Sequence, residues 1–86
     1  MRELERSIKA LANRRRLAIL KYLKENREAS VSEVAGAIHL SFKATSKHLG
    51  ILAALDIVER DQRSSQMFYR ISAQQSLTVK YTLSIL

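Results

Sequence analysis

Apolar residues recur along the chain with a helical period almost to its midpoint, and the period then changes. Leu4, Ile8, Leu11 and Ala12 fall at i, i+4, i+7 and i+8, which predicts a first amphipathic helix. Asn13 is a fitting N-cap for a second helix, whose wide apolar face of Leu17, Ile19, Leu20, Tyr22 and Leu23 predicts deep burial. The polar stretch Lys24-Glu25-Asn26-Arg27-Glu28 ends it. Ser30-Val31-Ser32-Glu33 has the form of a capping box, in which serine and glutamate satisfy each other's backbone N–H groups, and opens a short third helix with Val34, Ala35 and Ile38 inward. That helix should stop at His39, in a left-handed conformation that histidine enters more readily than most residues. Ser41 then caps a fourth helix, with Thr45, Leu49 and Leu52 inward, running to a turn at Asp56.

Beyond Asp56 the pattern becomes β-prone. Ile57-Val58-Glu59-Arg60 and Met67-Phe68-Tyr69-Arg70-Ile71 flank a polar, mobile tip over 61–66, which predicts a hairpin. The last segment carries two conflicting signals. Ser72-Ala73-Gln74-Gln75 is a second capping-box pattern and predicts a helix start. Residues 77–85 alternate apolar and polar, a strand period. As a helix they place Leu77, Tyr81 and Ile85 on one stripe and Val79, Leu83 and Leu86 on the next. The helix is favoured, since no turn leads a strand back. The expected architecture is therefore mainly α with a small β-hairpin wing, a winged helix-turn-helix with four helices, two strands and a fifth helix, in a single domain over 1–86.

Composition narrows the function. Eighty-six residues form one small domain that buries only about 60–65% of its unfolded surface, so a homodimer is the obvious source of extra buried area. There is no cysteine, hence no disulfide, thiolate metal site or thiol switch. The first residues alternate charge and lack the apolar core of a signal peptide, and no apolar run approaches the ~20 residues of a membrane span. A cytoplasmic protein without a membrane partner is expected. A formal charge of +7 points to a polyanion, although many small basic domains are merely soluble.

The helix pair over 30–55 adds the needed specificity. The face of the fourth helix opposite its apolar side carries Phe42, Lys43, Ser46 and Lys47. Lysine reaches phosphates or guanine acceptors, and serine bonds to a base edge or a phosphate. Ser41 is both cap and phosphate donor at a helix N-terminus. Phe42 either touches a thymine methyl or folds back on the turn. At the wing, Arg63 suits the minor groove, and Ser64 and Ser65 suit phosphates. The bland counterparts are a solvated helix face and a disordered polar tip. Arg14 and Arg15 read equally well as a solvated helix start. Gly50 permits close backbone approach, and His48 reads as a structural hydrogen-bonding group. Leu4, Ile8, Leu77, Tyr81 and Ile85 are surplus to one small core and suit a dimer interface.

Several of these segments together resemble one family. Leu11-Ala12-Asn13-Arg14-Arg15-Arg16-Leu17-Ala18-Ile19-Leu20 is similar to the opening of ArsR-type (arsenic-repressor-like) winged-helix transcriptional regulators, with Arg14 at the usual proline position. Ser32-Glu33-Val34-Ala35 and Leu40-Ser41, followed by Ser46-Lys47-His48-Leu49 and Leu52, resemble the family's helix-turn-helix. Ile57-Val58 and Phe68-Tyr69-Arg70-Ile71 resemble its wing strands, so the likeness covers roughly residues 8 to 72. It implies a prokaryotic, homodimeric regulator of double-stranded DNA, with the first and last helices at the dimer interface and Arg16 paired internally, to a carboxylate. Two of the family's metal sensors are missing. Ser30-Val31-Ser32 stands where soft-metal sensors carry Cys-Val-Cys, and residues 73–86 contain no Asp, His or Glu. No metal and no cofactor is expected, and an effector or protein partner stays open. The reading is a homodimeric repressor that occludes a promoter, using 42–55 in the major groove and 61–66 in the minor groove. The alternative is a winged-helix module that binds protein without base readout. An enzyme is not expected, because no acid pair, phosphate-cradling glycine loop or partnered histidine is present.

Overall fold

The computed structural model describes residues 1–86 as α1 (Arg2–Leu11), α2 (Arg14–Asn26), β1 (Glu28–Ser30), α3 (Val31–Ile38), α4 (Phe42–Ala54), β2 (Val58–Arg63), β3 (Gln66–Ile71) and α5 (Leu77–Ser84). Each expected helix is present, and α2, α3 and α4 start on the expected caps. Asn13 Oδ1 accepts from the backbone N–H of Arg15 and Arg16 at 3.0 Å each, satisfying two of the free donors that open α2. Ser30 and Glu33 form the reciprocal capping box of α3, at 3.2 and 2.8 Å. His39 ends α3 in the left-handed region (φ 57°, ψ 48°), and the following Leu40 N–H returns to the Ala35 carbonyl at 3.0 Å. Asp56 (φ 58°) repeats the device after α4, with its own N–H on Ala53 and the Ile57 N–H on Leu52.

The core lies where α2, α3, α4 and the sheet meet. Ile19, Leu20 and Leu23 of α2, Val34 of α3, Leu49 and Leu52 of α4, Ile57, and Val58 of β2 are fully buried, and Val79 of α5 closes the other side. The i, i+3, i+4 spacing of these positions turns one face of each helix inward.

Three expectations are corrected. The sheet has three antiparallel strands in the order β1-β3-β2, not two. Glu28, Ala29 and Ser30, read as the polar end of α2 and a helix cap, also pair with Arg70, Tyr69 and Phe68. Arg27, at φ 62°, swings the chain out of α2 into that strand. The wing tip is also shorter than 61–66. Asp61, Gln62 and Arg63 belong to β2, pairing with Phe68, Met67 and Gln66, so only Ser64 and Ser65 form the turn, Ser64 with φ 53°. Finally, α5 is a helix as favoured, but its N-cap is Ser76, whose Oγ accepts from the Val79 N–H at 3.3 Å. Ser72 is buried instead. Gln75, read as the reciprocal partner of a cap, donates its amide to the carbonyls of Ile57 (2.9 Å) and Ser72 (2.8 Å) and pins the connection to the core.

The conflict of periods in α5 has a simple basis. Val79 is buried and Leu83 and Leu86 pack on the core, while Leu77, Tyr81 and Ile85 form a second, exposed stripe. Lys24 Nζ donates to the Leu83 carbonyl at 2.7 Å and ties the end of α5 to α2.

Candidate nucleic-acid interface

The helix-turn-helix is α3, the three-residue turn His39–Ser41, and α4. Burial of Thr45, Leu49 and Leu52 against α2, α3 and the sheet fixes the rotation of α4 about its axis, and Ser41, Phe42, Lys43 and Lys47 are exposed as a result. Ser46 is half-buried at the edge of that face. Ser41 Oγ accepts from the Ala44 N–H at 3.1 Å, which leaves its hydroxyl hydrogen free to donate to an anion. The first turn of α4 has no acidic residue, so its positive helix end is not neutralised from within. Phe42 is 58% exposed and does not fold back on the turn. A Cβ built on Gly50 meets nothing within 4 Å, so no neighbour in the chain requires glycine there. Arg14, Arg15 and His39 line one shallow cleft, which brings the start of α2 beside the turn.

The wing is held differently from the sequence expectation. Arg63 is not free at a mobile tip. Its guanidinium receives both carboxylate oxygens of Glu28 (2.7 and 2.9 Å) and one of Asp61 (2.9 Å), and lies 4.7 Å over the Phe68 ring. Such a bidentate, stacked arginine is more firmly placed than a lone surface ion pair. The Arg63 hydrogen bond holds the Glu28 carboxyl below its ordinary value, and the two carboxylates raise the arginine further. Ser64 and Ser65 remain exposed at the end of the hairpin. Arg70 pairs with Glu59 at 3.0 Å on the sheet face.

Two functional features escaped sequence reasoning. Glu28 as the partner of Arg63 depends on β1, whose three residues carry no period of their own. Arg16 pairs with no carboxylate. Its Nε donates to the Ala10 carbonyl at 2.6 Å, and its Nη1 lies 3.1 Å from His48 Nδ1. Burial first, and then the charges of Arg16, Arg15 and Lys47, lower the His48 pKa from its ordinary 6.5. His48 of α4 is thus held in a structural hydrogen bond, as its sequence context suggests.

α1 packs against α5, and of the five apolar residues expected at an interface four lie on these two helices and Ile85 is the C-cap of α5. Leu77, Tyr81 and Ile85 are 83, 70 and 68% exposed, and Leu4 and Ile8 are 43 and 49% exposed. No group of three or more His, Cys, Asp or Glu side chains is placed to hold a metal ion, and no helix is long and apolar enough to cross a membrane.

Comparison with known proteins places this geometry. Residues 13–60, more than half of the chain and including the whole helix-turn-helix, match the profile of the bacterial regulatory protein, arsR family. The transcriptional activator HlyU of Vibrio cholerae is 38% identical over 68 residues, a match that spans 79% of this chain and 62% of that relative. The structure of reduced HlyU from Vibrio cholerae superposes with a TM-score of 0.82 at 36% identity, covering 98% of this chain and 84% of that one. The homodimeric winged helix-turn-helix DNA-binding domain of a possible ArsR-family regulator from Mycobacterium bovis superposes at 0.81 with 30% identity, over 96% of this chain and 73% of that one. The transcriptional repressor BigR from Xylella fastidiosa superposes at 0.79 with 27% identity, over 99 and 83% of the two chains. On sequence, on fold and on the placement of its helix-turn-helix, the chain is a winged helix-turn-helix member of the arsR family of bacterial transcriptional regulators.

Proposed function

We propose that this chain is a homodimeric, sequence-specific DNA-binding repressor that occludes a promoter. The observation that carries the reading is the exposed face of α4, where Ser41, Lys43 and Lys47 surround an unneutralised helix start with no carboxylate beside them. Lys43 and Ser46 read base edges in the major groove, Lys47 and Ser41 hold phosphates, and Phe42 meets a thymine methyl. Ser64 and Ser65 bring the wing to the neighbouring phosphates, and Arg63 reaches the minor groove once Glu28 yields it. Leu4, Ile8, Leu77, Tyr81 and Ile85 form the interface of a homodimer, which sets two recognition helices about 34 Å apart on one face of the duplex. The homodimeric Mycobacterium bovis domain supports that assembly. HlyU is an activator and BigR a repressor, so a promoter–reporter fusion with and without the gene decides the sign. Any effector acts without the family's cysteine or C-terminal metal ligands.

The test is fluorescence anisotropy on the DNA upstream of its own gene and on a scrambled duplex, from about 50 to 200 mM salt. Preference for the upstream duplex by roughly a hundredfold or more at the higher salt is expected. The Lys43→Ala/Lys47→Ala double variant should bind at least about tenfold more weakly, with a salt slope shallower by about two. Equal binding to both duplexes, lost with salt, would overturn the reading. The exposed Phe42 favours a protein-binding module as second reading, in which case the double variant keeps its partner.

A further inference from the structure

Arg16 joins three elements through one side chain. It stands in the first turn of α2, where its backbone N–H is capped by Asn13. Its guanidinium carries five N–H donors and no acceptor. Nε donates to the Ala10 carbonyl at 2.6 Å and Nη2 reaches the Lys9 carbonyl at 3.4 Å, both in the last turn of α1, where carbonyls lack helical partners. Nη1 faces His48 Nδ1, at 3.1 Å, in the middle of α4. Because a guanidinium can only donate, His48 Nδ1 has to accept, and the ring proton sits on Nε2. Arg16 and His48 are both half-buried, which keeps water from replacing the contact freely.

We propose that Arg16 is a positioning residue for the DNA-reading helix, holding α4 in register with the end of α1 through a neutral His48, and that protonation of His48 releases this hold. The proposal rests on α4 being the DNA-reading element. A proton on Nδ1 would leave two donors facing each other with no acceptor, and two like charges in a half-buried place. The charged groups acting on the ring are Arg16 and Arg15 of α2 and Lys47 of α4 itself; α3 and β2, also packed on α4, contribute none. No carboxylate is there to compensate the added charge. The imidazolium therefore swings from Arg16, and Lys43 and Ser46, five and two residues before it on α4, lose their fixed placement. Since α1 also carries Leu4 and Ile8, the same side chain links the seating of α4 to the exposed apolar face.

Nitrogen-15 NMR of the free protein tests the contact without any DNA. Two-bond imidazole correlations should show a protonated Nε2 and a bare Nδ1 for His48 at neutral pH, with a titration midpoint below the ordinary 6.5. The backbone amides of Phe42–Lys47 should shift with that same midpoint. A neutral ring carrying its proton on Nδ1, or amides indifferent to the titration, overturns the proposal whatever the DNA result. Anisotropy on the upstream and scrambled duplexes at constant ionic strength then reads the consequence. Between about pH 7.5 and pH 5 the preference for the upstream duplex should fall about fivefold or more, a change of register rather than of net charge. His48→Asn places an amide oxygen near the Nδ1 position, so it should keep the preference within about threefold and lose its pH step. His48→Leu should lose the preference at both pH values while keeping its helical circular dichroism. A pH step of equal size in His48→Asn belongs to another group and overturns the proposal. Failure of every variant and of the wild type to prefer the upstream duplex sinks the DNA reading alone, and the NMR result still decides the contact.

Discussion

Thr45 points into the core of α4 at 0% exposure, and its hydroxyl finds no hydrogen-bond partner. A buried, unmatched hydroxyl costs free energy that a methyl of the same shape does not. Thr45→Val should therefore stabilise the protein by about 1 kcal/mol, read as a higher urea midpoint with an unchanged slope. The opposite result would mean that the hydroxyl reaches a carbonyl or a water molecule. Such single-residue features were legible in the sequence where they depend on local chemistry. The caps at Asn13, Ser30 and Ser41 and the left-handed His39 involve partners within five residues, so spacing alone reveals them. Arg16 was legible only as an internally paired arginine. Its partners lie 6, 7 and 32 residues away, and no short-range pattern distinguishes a carbonyl or imidazole partner from a carboxylate.

Among the elements, the wing departs furthest from expectation. Its two long strands announced themselves by β-branched and aromatic residues, whereas β1 has three residues, two of them polar, and exists because β3 offers it an edge. That strand brings Glu28 to Arg63 and turns the one arginine of the hairpin end into an internal partner. In the proposed complex, DNA competes with two carboxylates for it. Glu28→Gln weakens the hold and removes one negative charge near the duplex, so DNA affinity should rise and the salt slope steepen by about one. Unchanged affinity would place Arg63 away from the DNA altogether. In α5 the sequence signal was ambiguous for a physical reason. A short helix with apolar residues on two stripes, one for its own core and one exposed, mimics the alternation of a strand, and only Ser76, not Ser72, marks where it starts.

For the whole molecule, size and surface agree. A domain of 86 residues that leaves Leu77, Tyr81 and Ile85 more than two-thirds exposed has apolar area to bury in a dimer. Tyr81→Glu should convert it to a monomer in sedimentation at micromolar concentration, with helical content retained and operator affinity lower by at least about tenfold. A dimer that survives this change would move the interface elsewhere. The order in which the molecule assembles follows from β1. Glu28 reaches Arg70 only after a loop of about forty residues closes, at an entropic cost of roughly 3 kcal/mol. Contacts of that separation form late in folding. β1 has only three residues and one neighbouring strand, so its amides should exchange with deuterium ahead of those in α2 and α4. Exchange in that order would make β1 a latch on the sheet edge, able to loosen while the helices stay folded.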